Sequence, residues 1–305
     1  MHIMLIKKKM DNLEVTKRRL TDNILVLYII TILLILLGQF LGMLLGFLPF
    51  MSSTDIAMTV YMYLSFIGIW ILTILYLRFT KKNRPILKTI GRRASGNNMK
   101  NLLIGLVMGF GLNGVCILAA WLNKDISLQY DSLKPIAFVL IFIAVFVQSS
   151  AEELVCRGFL YQRLKSSYKH PATAIIGNSL LFAILHLMNE GVTFLSVLNI
   201  FIVGILFSFM VYYMDSIWCA MSMHAMWNFT QNIIFGLPNS GIVSPYSVFR
   251  LDTSTANNSF VYNVGFGIEG TLFADILLIA ACICLYLWVN NIRSPKTPRP
   301  TQRES

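Results

Sequence analysis

The chain has 305 residues, 56% of them hydrophobic and only 13% charged, with a formal net charge of +11 and a mean hydropathy of +0.67. This composition, cut into long apolar runs by short polar ones, defines an all-α polytopic membrane protein. It excludes a β-barrel, which would need alternating residues, and the excess of base does not read as a nucleic-acid surface, because no aromatic base-stacking pattern accompanies it.

Residues 1–23 form a basic cytoplasmic arm. The first apolar run, 24–48, exceeds the 7–15 residues of a secretory signal core and lacks a small-x-small cleavage site, so it reads as a retained anchor. Runs at 56–79 and 102–122 complete an N-terminal block, 24–134, of three helices and their loops, among them a Lys- and Arg-rich loop over 80–101 with Pro85, Gly91 and Gly96 as breakers. Runs at 135–164, 172–188, 194–214 and 217–235 make up a core of four helices over 135–235. An external loop, 236–270, is dense in Ser, Asn, Gly and Thr and reads as a mobile connector. A last helix follows at 271–290. The tail, 291–305, is polar, holds three prolines and is expected to be disordered. The expectation is therefore about eight transmembrane helices around an intramembrane polar site.

The basic residues sort by loop. Of the 25 Lys and Arg, only Lys124, Lys134 and Arg250 fall in the loops after the first, third, fifth and seventh runs. The positive-inside rule therefore puts both termini and the alternate loops in the cytoplasm of a multi-pass plasma-membrane protein. The five cysteines all lie within helices, are odd in number and show no CxxC spacing, which argues against disulfides and a thiolate metal site. Cys156 among apolar neighbours reads as inert packing.

Ionisable groups at membrane depth are costly and mark function by default. The fourth run carries Glu152, Glu153 and Arg157; the fifth His186; the seventh His224 and Asn228. Residues four apart share a helical face and neighbours do not, so Glu153 pairs with Arg157 while Glu152 points elsewhere, free to act as a base. Phe182 shares a face with His186, and Ala220 and Asn228 with His224. If the fourth helix runs on to about residue 164, the rise of about 1.5 Å per residue puts Glu152 about 20 Å from Lys165, His186 about 22 Å from Pro171 and His224 about 14 Å from Asp215. All three then reach a common depth. Met221, Met223 and Met226 read as adaptable wall, and Asp275 as a solvated residue near the external end.

Over 147–228 the three motifs Glu152-Glu153-x-x-x-Arg157, Phe182-x-x-x-His186 and His224-x-x-x-Asn228 resemble, in order, spacing and setting, those of the CAAX protease and bacteriocin-processing (CPBP, or Abi) intramembrane proteases, which include the type II CAAX prenyl endopeptidases. The resemblance implies an intramembrane endopeptidase in which Glu152 and His186 activate water, His224 and Asn228 stabilise the oxyanion, and Glu153, Arg157 and Phe182 support the site. Its substrates would be prenylated proteins or membrane-associated peptides, with membrane lipids as the surrounding partner and no nucleic acid; processing of a bacteriocin precursor, or immunity, belongs to the same implication, as does a bacterial source.

The family is often labelled metalloprotease, and Glu152, His186 and His224 match the donor types of a catalytic zinc shell. There is no HExxH, however, and water activation by glutamate and histidine needs no metal, so no cofactor is expected as required. The competing reading is a non-catalytic immunity or scaffold protein, or a small proton-coupled transporter; a transporter would show inverted repeats or broken helices, and neither is found.

Overall fold

The computed structural model describes residues 20–293. The expected arm up to residue 19 and the expected disordered tail from 294 lie outside the described residues. All eight apolar runs are helical. α1 (Ile24–Met43) starts at Asn23, whose side chain accepts from the Leu25 amide at 2.8 Å and so satisfies an orphan donor of the first turn. α2 (Asp55–Leu64) and α3 (Ile67–Phe79) form one bent span, and α4 (Met99–Leu122) begins at its Asn98 cap. α5 (Pro135–Glu153) opens on proline, where no amide hydrogen is needed, passes into a π-helical segment Leu154–Leu160 and continues as α6 (Tyr161–Ser167). α7 (Pro171–Leu185) and α8 (Phe194–Met214) follow, and Asp215 in the left-handed region ends α8. α9 (Ile217–Asn228) runs into a second π segment, Phe229–Ile234, and α10 (Leu272–Arg293) comes last. Two short strands, β1 (Leu128–Tyr130) and β2 (Phe249–Leu251), pair antiparallel with Gln129 opposite Arg250.

Six helices among the described residues are long and apolar enough to cross a membrane, not the eight expected. The two that fall short are the ones that carry the histidines. α7 has 15 residues, since the chain turns at His186, and a span needs about 20. α9 has 12 residues before its π segment, and Ser222, His224, Asn228, Gln231 and Asn232 lower the hydropathy of that stretch. The span through the carboxylates is continuous over Pro135–Ser167, so Glu152 is carried into the interior.

Small residues bring backbones together where the site is built. On α1, a Cβ at Gly42 would stand 1.5 Å from the Ser65 carbonyl oxygen, and one at Gly68 on α3 would stand 2.1 Å from that of Gly38. Gly105 and Gly109 do the same for α4 against α9: a Cβ there would lie 2.3 Å from Cys219 O and 2.4 Å from Met223 O. Both are small-xxx-small contacts, in which van der Waals packing replaces a hydrophobic effect that lipid cannot supply. Leu25, Ile29, Leu33, Leu36 and Phe40 leave an apolar stripe of α1 facing outward, as do Ile276, Ile279 and Ile283 on α10.

Two expectations are corrected. The 236–270 segment is no mobile connector: Leu237, Tyr262, Phe266 and Ile268 are fully buried. Apolar residues too irregularly spaced to read as an element fill the end of the helix bundle. Asp275 is not solvated either; it is 1% exposed and accepts from Asn199 Nδ2 at 2.9 Å. At the opposite, basic end, Asp22 bridges Lys82 and Arg163, each at 2.5 Å, which ties α1 to the loop after α3 and to α6. Burial opposes ionisation of Asp22, yet these two cations hold its carboxyl below the usual range.

Candidate active site

Glu153 and Arg157, one helical turn apart, are both wholly buried, with Arg157 Nη1 at 2.9 Å from Glu153 Oε1. Arg157 Nη2 also donates to the Gly204 carbonyl of α8 at 3.1 Å, and its guanidinium lies 4.4 Å from the centre of the Phe182 ring and 5.2 Å from that of Phe207. A desolvated cation on two aromatic faces and a carboxylate is well compensated. The pair ties the π segment to α7 and α8.

Glu153 Oε1 is shared. It also lies 3.1 Å from His224 Nδ1, and a carboxylate can only accept, so that nitrogen bears the hydrogen. The His224 ring stacks on Phe207 at 5.3 Å. Its other nitrogen, Nε2, is thereby turned toward Glu152, 3.8 Å from Oε2. Glu152 points away from Glu153, as neighbours on a helix must, and its Oε1 accepts from Gln148 Nε2 at 2.6 Å, while Oε2 accepts no hydrogen bond from the protein.

His186 stands at the end of α7. Its Nδ1 is 2.8 Å from the Phe182 carbonyl oxygen, which accepts, so Nδ1–H donates and Nε2 keeps a lone pair. Phe182 lies edge-on to both imidazoles, 4.8 Å from His186 and 6.1 Å from His224. Asn228, one turn past His224, is held in place: its Nδ2 donates to Gln148 Oε1 at 3.1 Å and to Ser149 Oγ at 3.3 Å.

Glu152, His186, His224 and Asn228 line one cavity of about 560 Å³, walled by apolar side chains of α1, α3, α7 and α8. Side chains from three helices that are remote in sequence thus converge on one volume. Met221 and Met223 are buried packing residues of α9 and do not line it. His170 caps α7 and lies away from the site, and His2 falls outside the described residues. Among the described residues, no three His, Cys, Asp or Glu side chains gather closely enough to hold a metal ion. Both Nδ1 atoms are engaged, by the Phe182 carbonyl and by Glu153, so each histidine keeps Nε2 as its free ring nitrogen, and that of His224 lies 3.8 Å from Glu152 Oε2.

Three contributors escaped the sequence reading. Gln148 joins Glu152 to Asn228; it lies four residues before Glu152 in an apolar run, so its spacing alone could have found it. Phe207 supports both His224 and Arg157, but one aromatic among many gives no signal. Glu269 is buried at the cavity and accepts from Trp227 Nε1 and Asn239 Nδ2, each at 2.9 Å, and from the Ser240 amide at 2.5 Å. Burial pushes its carboxyl above the usual range, against the opposing effect of the Ser240 and Trp227 hydrogen bonds. It lies in what reads as loop, so only the fold reveals it.

The fold and the site define a polytopic helical membrane protein with a buried carboxylate and imidazole centre. Residues 134–230 match the family model described as type II CAAX prenyl endopeptidase Rce1-like, which takes in every motif residue from Glu152 to Asn228. The resemblance drawn from the three motifs therefore holds over that third of the chain. Neither the curated proteins nor the solved structures give a match.

Proposed function

We propose that this protein is a CAAX-type intramembrane endopeptidase that hydrolyses a peptide bond in a membrane-associated peptide or prenylated protein, with water activated by Glu152 and His186. The observation that carries the reading is the 3.8 Å separation of Glu152 Oε2 and His224 Nε2 across the floor of a cavity that His186 also lines. At that separation one water can hydrogen-bond to both atoms from the cavity side of the pair, within reach of a base and of a donor.

In the proposed sequence, Glu152 Oε2 takes a proton from the water, which His186 Nε2 orients as acceptor, and the oxygen attacks the scissile carbonyl carbon. His224 donates from Nε2 to the oxyanion, while its Nδ1 side is held by Glu153 Oε1. The intermediate collapses with breakage of the C–N bond, and the proton held by Glu152 passes to the leaving amine. One product keeps the new carboxylate, the other the amine. Asn228 contributes through Gln148, by holding the amide that aims Glu152. Glu153, Arg157 and Phe182 keep the imidazole of His224 in place. The side chains alone supply this chemistry, and no step is assigned to a metal.

The test is cleavage by the purified chain in proteoliposomes of farnesylated CAAX peptides and of apolar leader peptides, with Glu152→Gln and His186→Ala as variants. Each substitution is expected to lower turnover at least about 10²-fold with the fold intact. Turnover that survives both would end the proposal. Glu152→Gln keeps the shape of the side chain, so a role in binding alone would survive it.

A further inference from the structure

The cavity lies to one side of the catalytic groups, and that side differs in charge from the other. Below Glu152, toward the end of the bundle that carries the loop 80–98 and the turn 168–170, Val155 and Cys156 floor the cavity, and Leu154, Arg157, Phe159 and Leu160 are wholly buried. Above it, the roof is made of Asn189, Asn239, Ser240 and Ile242, which all belong to the connections at the opposite end. α7 starts at Pro171 at the packed end and is 15 residues long, so His186 lies about 22 Å along it and within about 8 Å of the far edge of a hydrocarbon layer of about 30 Å. The charges divide along the same line. Eight Lys and Arg lie between 78 and 100 and three between 163 and 169, at the packed end, whereas Lys124, Lys134 and Arg250 are the only ones in the connections on the open side. A bias of that kind in short loops orients a protein with its basic end in the cytoplasm.

We infer that the cavity is entered from the non-cytoplasmic face, so that its substrate is a membrane peptide whose scissile segment is presented on that face and not a tail hanging in the cytoplasm. The substrate half of the statement rests on the peptidase reading of the same site; the side of entry does not. The walls fit a substrate that is itself held in the bilayer. Leu36 on α1 and Ile184 and Met188 at the end of α7 line the cavity and are also exposed on the outer surface, so the apolar wall continues sideways into lipid in the half of the membrane nearest the opening. An apolar span can lie there while a short extended stretch reaches Glu152.

Two single substitutions read the side of entry without any need for turnover. Ile242→Cys puts a thiol at the rim of the cavity, where the native side chain is exposed, and Lys81→Cys puts one in the exposed loop after α3. Intact bacterial cells that express the full chain are treated with a membrane-impermeant quaternary-ammonium methanethiosulfonate, with the unsubstituted chain and its five native cysteines as background. The expected result is modification of Ile242→Cys in intact cells and of Lys81→Cys only after permeabilisation. Modification of Ile242→Cys only after permeabilisation, or not at all, overturns the inference. In the same cells, single-span reporter peptides carrying one cleavage segment at either face should be cut at least tenfold faster when the segment is outside. Preference for the cytoplasmic segment overturns the substrate half. Cleavage of neither reporter defeats the peptidase reading and with it the substrate half, while the labelling still decides the side of entry.

Discussion

Removal of the Arg157 guanidinium separates a structural ion pair from surface decoration. Arg157 and Glu153 are both fully buried, and the arginine also holds the Gly204 carbonyl and covers two aromatic rings. Arg157→Ala leaves the Glu153 carboxylate with His224 as its remaining partner, in a setting where water cannot screen it. Breaking a buried pair from one side costs about 3–5 kcal/mol, whereas neutralising both partners is often close to neutral. Arg157→Ala should therefore lower the unfolding free energy by about 3–5 kcal/mol, roughly 10²- to 10⁴-fold in the equilibrium constant. The double variant Glu153→Gln/Arg157→Ala, in which an amide oxygen still accepts from His224, should recover at least about 2 kcal/mol of that loss. The assay is far-UV ellipticity in mixed micelles during titration with a denaturing detergent, on all four members of the cycle. A cost below about 1 kcal/mol for Arg157→Ala, or strict additivity in the cycle, would refute the reasoning.

Further outcomes follow from the same contacts. Gln148→Leu removes the donor to Glu152 and the acceptor for Asn228, so kcat should fall at least about tenfold with KM little changed, read in the peptide assay; an unchanged kcat would detach Gln148 from the site. Gly109→Val adds bulk where a Cβ already meets Met223 O at 2.4 Å; it should push α9 from α4, lower stability by about 1–3 kcal/mol and reduce turnover because His224 follows directly on Met223. Glu269→Ala orphans Trp227, Asn239 and the Ser240 amide and should cost about 1–3 kcal/mol, with new protease cleavage in 236–242 as its signature. The Asp22 carboxyl is held low by Lys82 and Arg163 against its burial. Its contribution is therefore present above the ordinary carboxylate range and is lost as pH falls through the depressed folded value; Asp22→Asn should lower the thermal midpoint at pH 7 and flatten its fall on acidification.

Hydropathy and charge made most of the architecture legible. In lipid every backbone polar group must be paired within its own segment, so an apolar run has one choice of conformation, and all eight runs are indeed helices. The motif faces were legible for the same reason: spacing of four puts Glu153 beside Arg157 and Phe182 beside His186, and spacing of one turns Glu152 away. Gln148 obeyed that same spacing. Where the expectation failed, the helix was polar or the segment was loop. The histidine-bearing helices are too short or too polar to count as full spans, and the 236–270 segment buries Tyr262 and Phe266 with no periodicity to announce it.

The sequence by itself determined the class of protein, the helices, the sorting of charge between loops and which polar residues are candidates, because these depend on neighbours within one or two turns. Only the tertiary structure decided that Glu153 serves both Arg157 and His224, that Asn228 turns toward Gln148, that Phe207 and Glu269 belong to the site, and on which side of Glu152 the cavity lies. Those are contacts between helices far apart in the chain. They are set by close packing at Gly38, Gly42, Gly105 and Gly109 and by the seal around Arg157, and no local pattern encodes the distance between two helices.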